Sequence, residues 1–158
     1  MAKQQQDRED LIRDGRQMPC RGETMIDGVV VTIGFRAGGQ ASLYCGADPV
    51  FQFNTQHQLR RVHFAGERFA AESGQLVRLD RQQRGGKVQF VSCEVPPADQ
   101  EAMLRSLRGW LKAIRAAASR DDTVWRVAEE SERTFTTQLN TWLDRFPDPI
   151  IIAAAANA

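Results

Sequence analysis

The sequence predicts an α+β fold, an antiparallel β-meander of about six or seven strands covered by a C-terminal helix pair. Three observations carry that reading. Turn residues recur at intervals of about 8 to 12 residues, as Gly38-Gly39, Ala47-Asp48-Pro49, Asn54 to Gln58, Ala65-Gly66, Ser73-Gly74 and Gly85-Gly86. The runs between them are short and apolar-rich, and loops this brief join antiparallel neighbours. After Pro96-Pro97 the apolar spacing changes to steps of three and four, which is the helical period. A chain of 158 residues suffices for one domain with one core. Its divisions are a polar N-terminal segment at 1–20, the meander at 21–96, two amphipathic helices at 97–149 and an apolar tail at 150–158.

In the first segment Lys3, Arg8, Arg13 and Arg16 balance Asp7, Glu9, Asp10 and Asp14, leaving room for at most a short helical turn. The strands read as Val29 to Phe35, Ala41 to Cys45, Val50 to Asn54, Gln58 to Phe64, Glu67 to Ala71, Gln75 to Arg81 and Lys87 to Val95. Alternation places Val29, Val31, Ile33 and Phe35 on one face, pairs Phe51 with Phe53, and sets Val77 and Leu79 opposite Arg78 and Asp80. It slips at Leu59 against Val62 and Phe64, and again near Val91, as a bulge or a sheet covered on both sides would require. The first helix, 98–118, carries Leu104, Leu107, Leu111, Ile114 and Ala118 as a stripe for the sheet. The second, 122–146, carries Val124, Ala128, Ser131, Phe135, Leu139, Trp142 and Phe146, and stops at Pro147. Ile33, Phe53, Val62, Val77, Leu107 and Leu111 are the expected core.

Charge excludes several function classes. The formal net charge is +1, and residues 21–95 hold nine cations against seven acids, so no strong field marks the sheet. Stacking aromatics interleaved with arginine are missing, which argues against specific nucleic-acid binding. No apolar stretch approaches the roughly 20 residues of a membrane span, and Met1 to Asp10 is too hydrophilic for a secretory signal. Three cysteines, an odd and sparse set, suit free thiols in a reducing cytoplasm.

No catalytic constellation, metal-ligand spacing or cofactor fingerprint stands out. Cys20, Cys45, His57, His63 and Cys93 form no recognised ligand pattern, and Cys45 with a histidine base is outweighed by the reading of Cys45 as a small buried strand residue. The ligand-binding candidates are Asp48, Asn54, His57, Arg60 and Arg61, all at or near strand ends. In a meander, Asn54 and His57 share an end with Gly38-Gly39 and Ser73, whereas Asp48, Glu67 and Arg84 share the other. Phe135 and Trp142 are the partner-binding candidates, because the second helix offers more apolar surface than a small sheet buries. The leading function is therefore a non-enzymatic cytoplasmic binding or scaffold module with a protein partner or self-association. The alternative is a small-ligand-binding protein or enzyme with a site at one end of the sheet.

The segment Ser42-Leu43-Tyr44-Cys45-Gly46-Ala47-Asp48-Pro49-Val50-Phe51-Gln52-Phe53-Asn54, followed by Leu59-Arg60-Arg61, resembles a family of small bacterial proteins with no assigned activity. The resemblance spans about residues 33–115, through Gly66, Gly74-Gln75-Leu76 and Arg81. It implies a β-meander followed by a helix. Cys45 stands where the family pattern has an aromatic and Phe51 where it has Tyr, and both departures remove polar or stacking capability from that strand.

Overall fold

A computed structural model describes residues 20–36, 38–120, 125–127, 132–146 and 149–153. Eight strands follow one another in chain order: β1 (Cys20–Ile26), β2 (Val29–Phe35), β3 (Ala41–Cys45), β4 (Val50–Phe53), β5 (Leu59–Phe64), β6 (Glu67–Glu72), β7 (Gln75–Arg84) and β8 (Lys87–Cys93). Then come α1 (Pro97–Ala118), a two-residue β9 (Arg126–Val127) and α2 (Glu132–Asp144). Every strand pairs antiparallel with its chain neighbour, and β9 adds to the outer side of β1, giving one nine-stranded sheet. Four of its hairpins turn on two residues, both at positive φ: Asp27-Gly28, Ala65-Gly66, Ser73-Gly74 and Gly85-Gly86. That geometry matches the twist of the flanking strands, and a glycine in the second position makes it accessible.

The first strand is one that the sequence pattern conceals, since the meander enters at Cys20 rather than at Val29. The segment read as the start of the second helix instead holds β9, and that helix begins at Glu132; Val124, Ala128 and Ser131 lie outside the described residues, as does the N-terminal segment through residue 19. The inner face of β7 is also the reverse of the expected one. Leu76 is 1% exposed, whereas Val77 is only half-buried. Register explains why: Leu76 lies opposite Ala71 and Arg78 opposite Phe69, so Leu76, Arg78 and Asp80 point toward the helices.

Pro96 and Pro97 start α1 without a side-chain cap, and the N–H groups of Asp99 and Gln100 donate to Pro96 O at 3.0 and 3.2 Å. Met103, Leu107, Leu111, Ile114 and Ala117 bury the helix against the inner face of the sheet. From α1, Arg115 donates to the carbonyls of Leu143 and Phe146 at 2.6 and 3.3 Å, so one helix neutralises the open C-terminal end of the other. Phe135, Leu139, Trp142 and Leu143 of α2 are buried in the same core. Trp142 meets Phe35, Phe53 and Phe146 edge-on at centroid distances of 6.1, 5.4 and 4.6 Å. Phe135 and Trp142 are each 1% exposed, so the stripe assigned above to a partner is consumed within the chain.

Candidate anion-binding groove

The site begins with an irregularity in β5. Leu59 and Val62 both face inward, at 0% and 3% exposure, although three positions separate them. A shift of register against Gln52 and Phe53 accommodates this, with Leu59 opposite Phe53 and Arg61 opposite Gln52. Arg60 is the extra residue. Such a bulge places two consecutive side chains on one face, here the exposed pair Arg60 and Arg61 on the face turned away from the helices. The chain end reinforces it, because Leu59 N–H donates to Ile151 O at 3.0 Å and Leu59 O accepts from Ala153 N–H at 2.8 Å.

Next to this pair, alternation in β3 and β4 points Ser42 and Gln52 to the same face, and Arg36 and Gln40 flank the turn from β2 into β3. Together they line a cavity of about 210 Å³ whose walls include Arg36, Gln40, Ser42, Gln52, Arg60 and Arg61, with no carboxylate among its lining residues. Ser42 is buried at the floor. The cavity thus gathers guanidinium, amide and hydroxyl groups around one small space, with Arg60 and Arg61 as its exposed cations.

The other predicted ligand residues do not join it. Asp48 is at the opposite end of the sheet, where its Oδ1 lies 3.2 Å from His63 Nδ1 and its Oδ2 accepts from Gly66 N–H at 3.0 Å. Both oxygens therefore staple the β3–β4 turn to the β5–β6 turn. Asn54 closes its own loop, accepting at Oδ1 from the N–H groups of Gln56 and Gln58 at 2.9 and 3.0 Å. His57 sits in that loop at φ +63°, and burial, then the charge of Arg145, lowers its pKa below the ordinary histidine value. Cys45 faces the core while His63 lies on the opposite face, so the two do not meet as nucleophile and base. Burial, then Asp48, pushes the Cys45 thiol well above its ordinary value.

A second cavity, of about 260 Å³, lies at the seam between the sheet and the start of α1. Phe64, Phe69, Val95 and Met103 wall it, with Glu67, Arg78 and Asp99 as its charged members. Arg78 is already engaged by Asp80, Nε to Oδ1 at 2.8 Å. Among the described residues no group of three His, Cys, Asp or Glu side chains is placed to hold a metal ion, and no helix is long and apolar enough to cross a membrane.

The sequence singles out Arg60 and Arg61, shows Arg36 only as one of several sheet cations, and gives no sign of Gln40, Ser42 and Gln52. The slipped alternation at Leu59 is the signal that connects them, since it dictates which face the arginine pair takes. No protein-family model, curated protein or solved structure matches this chain.

Proposed function

We propose that the protein is a non-enzymatic binding module whose basic groove holds a phosphate or carboxylate group of its ligand or protein partner. The observation that carries this is the lining, which brings three guanidiniums to one cavity without a carboxylate. Guanidinium forks match two acceptor oxygens at once, and charge-assisted hydrogen bonds are stronger than neutral ones. The cavity is smaller than the ~300–1,000 Å³ of drug-sized pockets, which favours a single anionic group or a small dicarboxylate over a nucleotide. A reducing cytoplasm belongs to the reading, supported by the three free thiols.

Calorimetric titration with inorganic phosphate, pyrophosphate and citrate tests it. At least one of these should saturate at millimolar concentration or below, and Arg60→Gln and Arg61→Gln should each weaken it by about tenfold or more. Absence of saturation with all three, or wild-type affinity in both variants, refutes the proposal. A second reading rests on the apolar walls of the seam cavity, which suit a small hydrophobic body. In that case filling it with Met103→Trp abolishes uptake of a hydrophobic fluorescent dye by the folded protein, and undiminished uptake counts against it.

A further inference from the structure

The β7–β8 hairpin reaches beyond the rest of the sheet. Every residue from Arg81 to Ser92 is exposed, including Val88 at 43%, Phe90 at 47% and Val91 at 36%. No strand lies outside β8 among the described residues. The register, with Arg84 opposite Lys87 across a two-residue turn, assigns the inward backbone bonds to Lys87, Gln89, Val91 and Cys93. Val88, Phe90 and Ser92 consequently aim their N–H and C=O groups at the open edge. Their side chains share one face, where the guanidinium of Arg68 lies 5.6 Å from the Phe90 ring centre. Folded proteins usually blunt such an edge with proline, a bulge or a covering element, and β8 has neither proline nor a bulge.

We infer that β8 is a docking edge that receives an extended protein segment as an additional strand, with apolar side chains alternating with carboxylates. Between Asp80, which Arg78 engages, and Glu94, residues 81–93 contain three cations, Arg81, Arg84 and Lys87, and no acid; at the far end of the edge Ser92 Oγ donates to Glu72 at 2.7 Å. A second copy paired antiparallel about Phe90 would set Lys87 opposite Cys93 and bring no acid from residues 81–93 to the edge, whereas an acidic strand supplies the carboxylates that Lys87, and Arg84 behind it, can meet. Alternation fits the two faces of the hairpin. Positions beside Val88 and Phe90 take apolar side chains, and the intervening positions turn carboxylates to the face of Lys87 and Arg84. This surface is separate from the Arg60 groove and does not depend on it.

The probes are a short end-capped peptide alternating valine with glutamate and the same peptide with lysine for glutamate, followed by fluorescence anisotropy and amide hydrogen exchange. The glutamate peptide should bind and slow exchange at Val88, Phe90 and Ser92, and the lysine peptide should bind about tenfold more weakly or worse. The double variant Arg84→Glu/Lys87→Glu should invert that preference. Phe90→Pro, which removes an outward-facing donor and the ring beside Arg68 but leaves the inward backbone bonds of β8 in place, should abolish binding while circular dichroism stays unchanged. Equal affinity for the two peptides, absence of binding, or unaltered exchange at the edge overturns the inference. So does a concentration-dependent dimer abolished by Phe90→Pro, which would identify a second copy as the occupant.

Discussion

Substituting Gly22 by alanine tests the packing of α2 on the sheet at its tightest point. Gly22 is buried on the inner face of β1, opposite Ile33, and a Cβ built there would lie within 2.7 Å of three ring carbons of Phe135. Carbon atoms pack at about 3.5–4.0 Å, so the nearest ring carbon, at 2.3 Å, has to retreat by about 1.2–1.7 Å. It has nowhere to go. Phe135 is 1% exposed, with Trp125 at a centroid distance of 5.4 Å and Phe35 at 6.0 Å. Overpacking of this kind costs about 1–3 kcal/mol, and the lower chain entropy of unfolded alanine offsets only about 0.4–1 kcal/mol. Gly22→Ala should therefore destabilise the fold by about 1–2 kcal/mol in urea melts. In a double-mutant cycle Phe135→Leu should recover part of that loss, because a smaller side chain releases the clash. A neutral or stabilising Gly22→Ala, or strict additivity with Phe135→Leu, would show that the helix does not press on β1.

Other predictions probe separate features. Arg115→Gln should cost about 1 kcal/mol by removing the charged donor from the Leu143 and Phe146 carbonyls, and an unchanged urea midpoint would mean that those bonds contribute nothing net. In the native protein a thiol reagent should modify the half-buried Cys93, with Cys20 and Cys45 reacting only after denaturation; fast reaction at Cys45 would contradict its placement in the core. His57 has a lowered folded pKa, so its contribution to stability is complete above the ordinary value of 6.5 and is lost as pH falls toward the folded value. His57→Asn, chosen because asparagine tolerates positive φ, should flatten the acid side of the stability profile relative to the parent, and parallel profiles would refute the assignment.

Legibility along this chain follows how much of each element's packing is carried by its own side chains. The two proline residues at 96 and 97 mark the start of α1 to within one position, and the paired turn residues locate three two-residue hairpins, because backbone geometry there selects the residue directly. The β1 strand escaped notice for the opposite reason. Its inward positions are Cys20, Gly22, Thr24 and Ile26, two of them with little or no apolar bulk of their own, and Phe135 from the far end of the chain supplies the missing volume at Gly22. In β7 the attractive alternation of Val77 and Leu79 points outward, because only pairing with β6 reveals that Leu76 is the residue in register with the core. Trp142 and Phe135 show their need for burial in the helical stripe, but they are buried within the chain and not on the partner that the stripe suggests. What a local pattern lacks is the identity of the surface that buries them, here the aromatic set of Phe35 and Phe53 from strands about a hundred residues earlier.

The bulge in β5 decides which face of the sheet the arginine pair takes. A regular strand would alternate Arg60 and Arg61 between the two faces, turning one guanidinium into the aromatic core, where an unpaired charge costs several kcal/mol. The extra residue removes that conflict by sending both outward, while Leu59 and Val62 keep their places inside. It also disturbs the regular ladder at Leu59, and the backbone groups of Ile151 and Ala153 engage both the donor and the acceptor of that residue. The C-terminal tail therefore holds the start of the strand that carries the arginine pair, although none of its residues lines the groove. Displacing it would leave the N–H and C=O of buried Leu59 without those partners.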